Sequence, residues 1–269
     1  MNIILTGASS GIGESILKEL LLLSDVKILT LSRRKPNINS EKIRWIECDL
    51  SNEKEIEIIK TELEEFKCDV LINNAGSGKV QDLIDLNYND ILKETNLNLI
   101  APMLLTKIVS KNMIRNKYGR IINISSISGV YGTPYLFTYS ATKAGLMNFT
   151  QSSANYFKNK NITVNSISPG GINTQMAVEG RKEISRLHNM DEDDYQKQMM
   201  NQMGVSKLID CTDVAKLVIF LINTSSINGQ NINICGLIER WYNDKVKWRR
   251  NNNIRKYVKK IRCRRADFN

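Results

Sequence analysis

The first 23 residues constrain the fold more than any other stretch of the chain. Residues 3–6 (IILT) form an apolar run typical of a buried strand, and glycines 7, 11 and 13 separate it from an apolar helical pattern, ESILKELLLL. A strand, a glycine-rich turn and a helix in this order begin a nucleotide-binding βαβ unit. The spacing TGASSGIG is not the G-x-G-x-x-G fingerprint, and a glycine cluster alone is often only a turn. The flanking strand and helix favour cofactor binding here, with the pyrophosphate at the helix N-terminus.

Apolar runs alternate with helical patterns along the rest of the chain. Because this alternation is typical of parallel sheets, the sequence predicts an α/β fold. It would be a Rossmann-type, doubly wound, seven-stranded and mostly parallel sheet with helices on both faces. Ligands then bind beyond the carboxyl ends of the strands. The other six predicted strands are residues 26–32, 43–50, 68–76, 119–125, 162–171 and 231–236.

Bulk properties bound the class of protein. A chain of 269 residues can form one large domain, which we place at residues 1–239. The single histidine, His188, makes histidine triads and histidine-rich metal sites poor candidates, so no metal site is predicted. Five scattered cysteines without a C-x-x-C pair indicate reduced thiols, and the strand beginning just after Met1 argues against a signal peptide. With no apolar run of about 18 residues, we expect a cytoplasmic protein.

The net charge of +10 resides in a C-terminal tail, residues 240–269. That tail holds twelve Lys/Arg and two Asp/Glu, which leaves 26 charges of each sign in the rest of the chain. Apolar residues recur at helical spacing among the cations, as in a basic amphipathic helix that contacts anionic membrane, RNA or an acidic protein. A solvated extension, or coding past an ancestral stop, explains the same composition and is the favoured interpretation.

The end of the second predicted strand indicates which dinucleotide is bound. An acidic residue there would bind the ribose 2′-hydroxyl of NAD, whereas this chain has Ser32, Arg33 and Arg34. Two arginines suit the extra phosphate of NADP, so NADP(H) is favoured over NAD(H). Two solvated arginines after a strand are the alternative.

The candidate acid/base lies between residues 126 and 143. Lys143 follows Tyr139 by four residues, so both side chains share one helix face, and a nearby cation favours the phenolate. Tyr-x-x-x-Lys alone is also common on solvated helices. Ser126 precedes the tyrosine by thirteen residues, and Asn96 interrupts an apolar helical run where its amide needs partners such as an ordered water.

Taken together, these motifs resemble the short-chain dehydrogenase/reductase family, in the single-domain subgroup that includes 3-oxoacyl-carrier-protein reductases. The resemblance covers about residues 2–237. It rests on TGASSGIG, Asp49-Leu50, NNAG at 73–76, Asn96-Leu97, Ser126, YSATK at 139–143, Pro169-Gly170 with Thr174, and the segments DVAKLVIFL and NGQNINICG.

The resemblance implies a role for each matched residue. Ser126 would polarise the substrate carbonyl, Tyr139 would exchange a proton with it, Lys143 would bind the nicotinamide ribose, and Asn96 would order a water. Ser126, rather than Ser125 or Ser128, keeps the family's separation from Tyr139. Asp49 would meet the adenine, Asn74 would lie along the cofactor and Thr174 would anchor the carboxamide. The implied cofactor-binding set is Gly7, Ser9, Ser10, Gly11, Ile12, Gly13, Ser32, Arg33, Arg34, Asp49, Leu50, Asn74, Ala75, Gly76, Tyr139, Lys143, Pro169, Gly170 and Thr174.

Two segments depart from the family pattern. Residues 175–209, the family's substrate lid, lack the Pro-Leu-Gly-Arg-Leu element, and their methionines either face an apolar substrate or, as we favour, pack a helix. Near the end, Cys235-Gly236-Leu237 replaces Asp-Gly-Gly in a loop that supports the subunit interface. The family still implies a homotetramer or homodimer.

The leading hypothesis is therefore an NADP(H)-dependent oxidoreductase that reduces a small-molecule carbonyl, with 3-oxoacyl thioesters among the substrates that the resemblance implies. One alternative is an NAD-dependent alcohol dehydrogenase of the same fold. The other is a cofactor-binding scaffold that acts through the tail. A scaffold without turnover would be free to lose the four catalytic residues, and this chain has all of them. The substrate is not identified by the sequence.

Overall fold

The computed structural model describes residues 1–236, and residues 237–269, which hold the basic tail and Leu237, lie outside it. The described residues form a seven-stranded sheet in the order β3-β2-β1-β4-β5-β6-β7, with every pairing parallel. All seven predicted strands are present. They are β1 (Asn2–Thr6), β2 (Lys27–Ser32), β3 (Ile43–Glu47), β4 (Val70–Asn73), β5 (Gly119–Ile124), β6 (Ile162–Pro169) and β7 (Asn231–Ile234).

Helices connect the strands and cover both faces of the sheet. They are α1 (Gly11–Leu21), α2 (Glu53–Glu65), α3 (Tyr88–Thr95), α4 (Ala101–Asn116), α5 (Ile127–Val130), α6 (Phe137–Tyr156), α7 (Gln175–Leu187), α8 (Glu192–Met203) and α9 (Cys211–Asn223). Within residues 1–236, no helix combines the length and apolarity needed to cross a membrane.

The central strands β1 and β4 read as nearly continuous apolar runs because both faces of the sheet are covered. Every residue of β5 and β6 is buried, whereas the edge strands β3 and β7 are only partly buried. One core cluster packs α2 and α4 against the sheet, and the other packs α1 and α9 against the opposite face. The fold is therefore the predicted doubly wound one.

The strand order reverses between β1 and β4, which lie side by side at the centre of the sheet. Chains leaving these two strands turn to opposite sides and leave a crevice at their carboxyl ends. The glycine-rich turn follows β1 and the NNAG segment ends β4. The topology thus brings two distant motifs to one edge of the sheet.

A π-helical turn, Asn96–Ile100, joins α3 to α4. Pro102 near the start of α4 lacks the N–H that would donate to the carbonyl of Asn98 in an α-helix, and its ring crowds that carbonyl. The Ala101 N–H instead donates to the carbonyl of Asn96, five residues back. A wider turn of this kind often occurs at functional sites, and this one lies beneath the crevice.

Candidate active site

A cleft of about 520 Å³ runs across the carboxyl edge of the sheet. Of the residues singled out from the sequence as catalytic or cofactor-binding, only Asn96 does not line it. The cleft is lined by Gly7, Ser9, Ser10, Gly11, Ile12, Gly13, Ser32, Arg33, Arg34, Asp49, Leu50, Asn74, Ala75, Gly76, Ser126, Tyr139, Lys143, Pro169, Gly170 and Thr174.

The glycine turn is packed too tightly to accept a side chain. Gly7 has a φ of +69°, and a Cβ there would lie 2.8 Å from the Cα of Ala75. A Cβ on Gly13 would overlap the carbonyl oxygen of Gly7 and lie 2.5 Å from Nδ2 of Asn74. That amide donates to the carbonyls of Thr6 and Gly7, both at 3.0 Å. The turn is thereby held against β4 with its backbone open to the cleft.

The same turn leads into the N-terminus of α1. Ser10 is the N-cap and its side chain makes no capping hydrogen bond, so the first N–H groups of the helix are not satisfied by the cap. These donors and the positive end of the helix dipole suit a phosphate group. Glycine backbone, free helix N–H groups and the adjoining cleft therefore fit the pyrophosphate of a nicotinamide dinucleotide.

Arg33 and Arg34 are exposed at one end of the cleft. The Ser32 hydroxyl donates to the carbonyl of Arg34 at 2.7 Å and accepts from the indole N–H of Trp45, so it shapes the turn that carries them. Within the described residues neither guanidinium is ion-paired with a carboxylate. Both cations are therefore available to an anionic ligand.

Asp49 lies beside this end of the cleft and remains ionised. Burial raises its pKa, but hydrogen bonds from Ser51 and the charges of Arg33 and Lys93 outweigh burial and leave the pKa below its usual value. The carboxylate accepts from the Ser51 N–H at 3.0 Å and from its hydroxyl at 2.7 Å. Those bonds fix its orientation toward the cleft wall.

At the other end, the predicted catalytic side chains converge. Tyr139 lies in the first turn of α6 and Lys143 one turn later, with the lysine Nζ 5.7 Å from the centre of the tyrosine ring. Ser126 follows β5, and its side chain lies close enough to that of Tyr139 for hydrogen bonding to lower the tyrosine pKa. The Ser126 hydroxyl also accepts from the Ser128 N–H at 3.1 Å, whereas Ser125 donates to the carbonyl of Lys143 and ties α6 to the sheet.

The titration of this pair differs from the sequence-based expectation. Burial raises the pKa of Tyr139, the hydrogen bond from Ser126 lowers it, and the charge of Glu94 raises it further, so the net shift is upward. Lys143 is 3% exposed, and burial lowers its pKa to about 8 while Glu94 opposes that shift. Its ammonium donates to the carbonyl of Ile124 at 2.8 Å. The predicted lowering of the tyrosine pKa is thus wrong, because burial outweighs the hydrogen bonding from Ser126 and the charge of Lys143 is not among the causes of the shift.

Asn98, not Asn96, contributes its side chain to the surroundings of Lys143. The Asn96 amide donates to the carbonyl of Ser51 at 3.2 Å, away from the tyrosine and lysine. Asn98 is fully buried, with its oxygen accepting from the Ser77 N–H at 3.0 Å and its nitrogen donating to the Ser77 carbonyl at 2.8 Å. A Cβ built on Gly76 would lie 3.2 Å from both the Asn98 oxygen and the Lys143 Nζ. The side-chain position expected of Asn96 is therefore held by its neighbour two residues on.

Glu94 is a buried carboxyl in this region that the sequence did not single out. It is 5% exposed in the last turn of α3, and its Oε1 is buried without a partner among the described residues. Burial raises its pKa to about 7, although the charge of Lys143 opposes the shift. The sequence shows only an acidic residue in a helical pattern. Such residues are common on solvated helices, so nothing in the sequence indicates that this one is buried.

Replacing Glu94 with glutamine is expected to remove a pH-dependent loss of stability. The folded state holds the Glu94 proton more tightly than the unfolded state, so wild-type stability falls as pH rises from about 4.5 to about 7. The glutamine variant lacks that fall. The difference between its melting temperature and that of wild type should therefore increase over the same pH range, by about 2 to 4 °C for each kcal/mol of stability that the wild type loses. Thermal unfolding at pH 5 and pH 8 measures this difference. The exposed Glu65→Gln should leave the difference near zero, and an equally flat result for Glu94→Gln would contradict the assignment.

The helices α7 and α8 form another wall of the cleft. Both lie within the segment expected to be the lid. Met199 and Met203 line the cleft together with Met176, Tyr195 and Arg181, whereas Met190 and Met200 do not. The imidazole of His188 lies between two tyrosine rings, edge-on to Tyr135 at 5.3 Å and stacked on Tyr195 at 6.3 Å. These ring contacts join α7 and α8 to the loop that precedes α6. The Thr174 hydroxyl caps α7 by accepting from the Ala177 N–H.

Comparison with known proteins agrees with this geometry. Residues 1–185 match the family model described as short chain dehydrogenase. A 3-oxoacyl-[acyl-carrier-protein] reductase of Synechocystis is 41% identical over 133 residues, which are 49% of this chain and 54% of that relative. The 3-oxoacyl-[acyl-carrier-protein] reductase FabG of Rickettsia bellii is 32% identical over 246 residues, 87% of this chain and 94% of its own length.

Solved structures share the fold over most of the chain. A mutant 4-hydroxyisoleucine dehydrogenase complexed with NADH and succinate is 28% identical with a TM-score of 0.79, over 89% of this chain and 99% of that one. A single-residue variant of actinorhodin polyketide ketoreductase with NADPH is 26% identical with a TM-score of 0.78, over 87% of this chain and 95% of that one. These likenesses extend the match beyond residue 185 to most of the described chain.

Proposed function

Since this chain belongs to the short-chain dehydrogenase family, we propose that it is an NADP(H)-dependent oxidoreductase that interconverts a carbonyl and an alcohol, with Tyr139 as the acid/base. The observation that carries this proposal is that Ser126 and Tyr139 line the same cleft as the glycine turn, with Ser126 close enough to lower the pKa of Tyr139. Two hydroxyls that converge in this way can hold one carbonyl oxygen between them.

The chain's own residues account for proton transfer. When bound, the nicotinamide cofactor supplies the hydride that adds to the carbonyl carbon. Ser126 donates a hydrogen bond to the carbonyl oxygen, and Tyr139 donates its proton as negative charge develops there. The raised pKa of Tyr139 keeps the phenol protonated at neutral pH, which suits the reductive direction. Lys143 places a positive charge beside the phenolate that remains, and Glu94 favours the charged form of that lysine.

The cofactor preference rests on Arg33 and Arg34. Both are exposed at the cleft end and free of ion pairs within the described residues, and an arginine fork matches the geometry of a phosphate. The two structural neighbours divide on this point, one holding NADPH and the other NADH. The NADH-bound neighbour supports the second candidate function, an NAD-dependent alcohol dehydrogenase.

Replacing Arg33 with alanine distinguishes the two candidates. Losing a charge-assisted hydrogen bond to the 2′-phosphate should raise the Kd of NADPH by roughly 10- to 100-fold, whereas the Kd of NADH, which has no such phosphate, should change less than about threefold. Direct titration of nucleotide fluorescence measures both constants without turnover. Arg115→Ala, on the exposed face of α4, serves as the control. Equal weakening of both nucleotides by Arg33→Ala would favour the NAD-dependent candidate.

The substrate is tested by following NADPH oxidation with β-ketoacyl thioesters, keto sugars, quinones and simple oxo acids. The relatives named as 3-oxoacyl-[acyl-carrier-protein] reductases make thioesters the first substrates to try. An alcohol product formed in proportion to the NADPH consumed supports carbonyl reduction. Failure with every class, despite tight cofactor binding, would overturn the proposed activity.

We also propose a homo-oligomeric, cytoplasmic protein. Family membership supports the first part, and size-exclusion chromatography with light scattering tests it by distinguishing monomer, dimer and tetramer. Cys48, Cys68, Cys211 and Cys235 are free thiols, which is typical of a reducing compartment.

A further inference from the structure

Arg181 is a buried cation in the wall of the cleft that the proposed reaction does not use. It lies in the second turn of α7, is 7% exposed, and lines the cleft together with Tyr195 and Met199. Arg33 and Arg34, which we assign to the cofactor, follow β2. They therefore lie on the opposite side of the glycine turn from α7, which follows β6. A guanidinium carries its charge at any physiological pH, so burial cannot neutralise it.

The hydrogen-bonding capacity of Arg181 is largely unused. One Nη donates to the carbonyl of Ile172 at 3.0 Å, while the Nε is buried and has no partner among the described residues. Within residues 1–236, no carboxylate approaches the guanidinium within 4.0 Å, and Glu192 acts on it only through longer-range attraction. Buried charges in proteins are normally paired, because an unpaired one loses its hydration without compensation.

The surroundings of Arg181 indicate what would pair with it. The α7 and α8 part of the cleft wall carries the apolar side chains of Ile184, Met199 and Met203, and Val80 lies 3.8 Å from a Cβ built on Gly180, the residue before Arg181. Among the described residues that line the cleft, the other cations are the two arginines at the cofactor end and Lys143 beside Tyr139. A single guanidinium in an apolar wall balances one negative charge, and its planar fork matches a carboxylate. A phosphate monoester, with nearly two charges, would be left partly uncompensated.

We propose that Arg181 binds the carboxylate of the substrate, so that the substrate is an oxo acid whose carbonyl reaches Ser126 and Tyr139 while its carboxylate pairs with Arg181. This proposal rests on the proposed carbonyl reduction and names its substrate class. Apolar side chains that line the same cleft are available to the carbon chain that joins carbonyl and carboxylate. A thioester substrate has no free carboxylate for this position.

A purely structural role for Arg181 makes a different prediction. If the side chain only braces the loop after β6 through the Ile172 carbonyl, its loss would weaken all substrates and the cofactor alike. Substrate binding through a carboxylate instead requires the effect to depend on the charge of the substrate. Matched acids and methyl esters separate the two roles.

The experiment measures NADPH oxidation with acetoacetate, 4-oxopentanoate and 5-oxohexanoate, each beside its methyl ester. For the acid of the best chain length, Arg181→Met should lower kcat/KM by roughly 10- to 100-fold, mainly through KM, and change the ester's value less than about threefold. Arg181→Lys keeps the charge and should recover part of the loss. Arg186→Met, five residues on in α7, removes an exposed arginine paired with Glu183 and should change neither substrate.

A second measurement does not depend on turnover. With NADPH bound, glutarate should raise the melting temperature of wild type and Arg186→Met but not that of Arg181→Met. Unchanged NADPH affinity in the Arg181 variants shows that the loop after β6 is intact. Equal losses for acid and ester, or a glutarate shift that survives in Arg181→Met, would overturn the carboxylate assignment. Absence of turnover with every acid and ester in wild type would instead count against the proposed function, and the glutarate shift would still decide the role of Arg181.

Discussion

Replacing Tyr139 with phenylalanine is expected to lower kcat by about 10²- to 10⁴-fold, the range that general acid catalysis contributes. The ring and its packing stay in place, and only the hydroxyl that carries the proton is lost. The partner of Ser126 disappears with it, so the carbonyl oxygen loses both the proton donor and one of its two positioning groups. NADPH affinity should change little, because the Lys143 and glycine-turn contacts do not involve that hydroxyl.

Steady-state rates with the best substrate and direct NADPH titration measure the two effects separately. Tyr156→Phe, the same substitution at the far end of α6 where the side chain is 65% exposed, should retain wild-type kcat. A Tyr139→Phe enzyme that retains more than about a tenth of the wild-type kcat would remove the tyrosine from the mechanism. A variant that loses NADPH binding would show instead that the hydroxyl supports the cofactor site.

The fold was predictable from the sequence because a parallel sheet covered on both faces needs buried strands, and these appear in the sequence as short apolar segments between helical patterns. The central strands β1 and β4 read as nearly uninterrupted apolar runs, and each is followed by a turn or a polar segment at the edge where ligands bind. The cofactor cleft was predictable for the same reason. Gly7, Gly13 and Asn74 are required by close backbone approach at the meeting of β1 and β4, and such steric requirements are visible as residue types.

The electrostatics around the reacting groups could not be predicted in this way. Spacing places Tyr139 and Lys143 on one helix face, but the pKa of each depends on burial, which sequence spacing does not reveal. Glu94 and Arg181 look like ordinary charged residues of amphipathic helices until the fold buries them. Asn98 was missed because its partner, Ser77, is 21 residues away in the chain and the π-helical turn changes which side chains face inward.

Replacing Gly13 with alanine is expected to disrupt the cofactor site with the addition of one methyl group. The new Cβ would overlap the carbonyl oxygen of Gly7, a backbone atom that cannot rotate aside. Relief requires the turn to move away from α1, which breaks the hydrogen bonds from the Asn74 amide. Overpacking of this kind costs about 1 to 3 kcal/mol, so the melting temperature should fall by roughly 2 to 12 °C. NADPH affinity should fall by about 10- to 100-fold or more, because the backbone that faces the pyrophosphate is displaced.

Gly132→Ala provides the matched control, since a Cβ built there meets nothing within 4 Å, and it should keep both wild-type melting and wild-type NADPH affinity. Nucleotide titration and thermal unfolding on the two variants compare one methyl group in two environments. A Gly13→Ala protein that binds NADPH as tightly as Gly132→Ala would show that the turn tolerates a shift and does not cradle the pyrophosphate. Selective loss in Gly13→Ala would tie cofactor binding to the contact between this glycine and the carbonyl of Gly7, where β1, β4 and α1 meet.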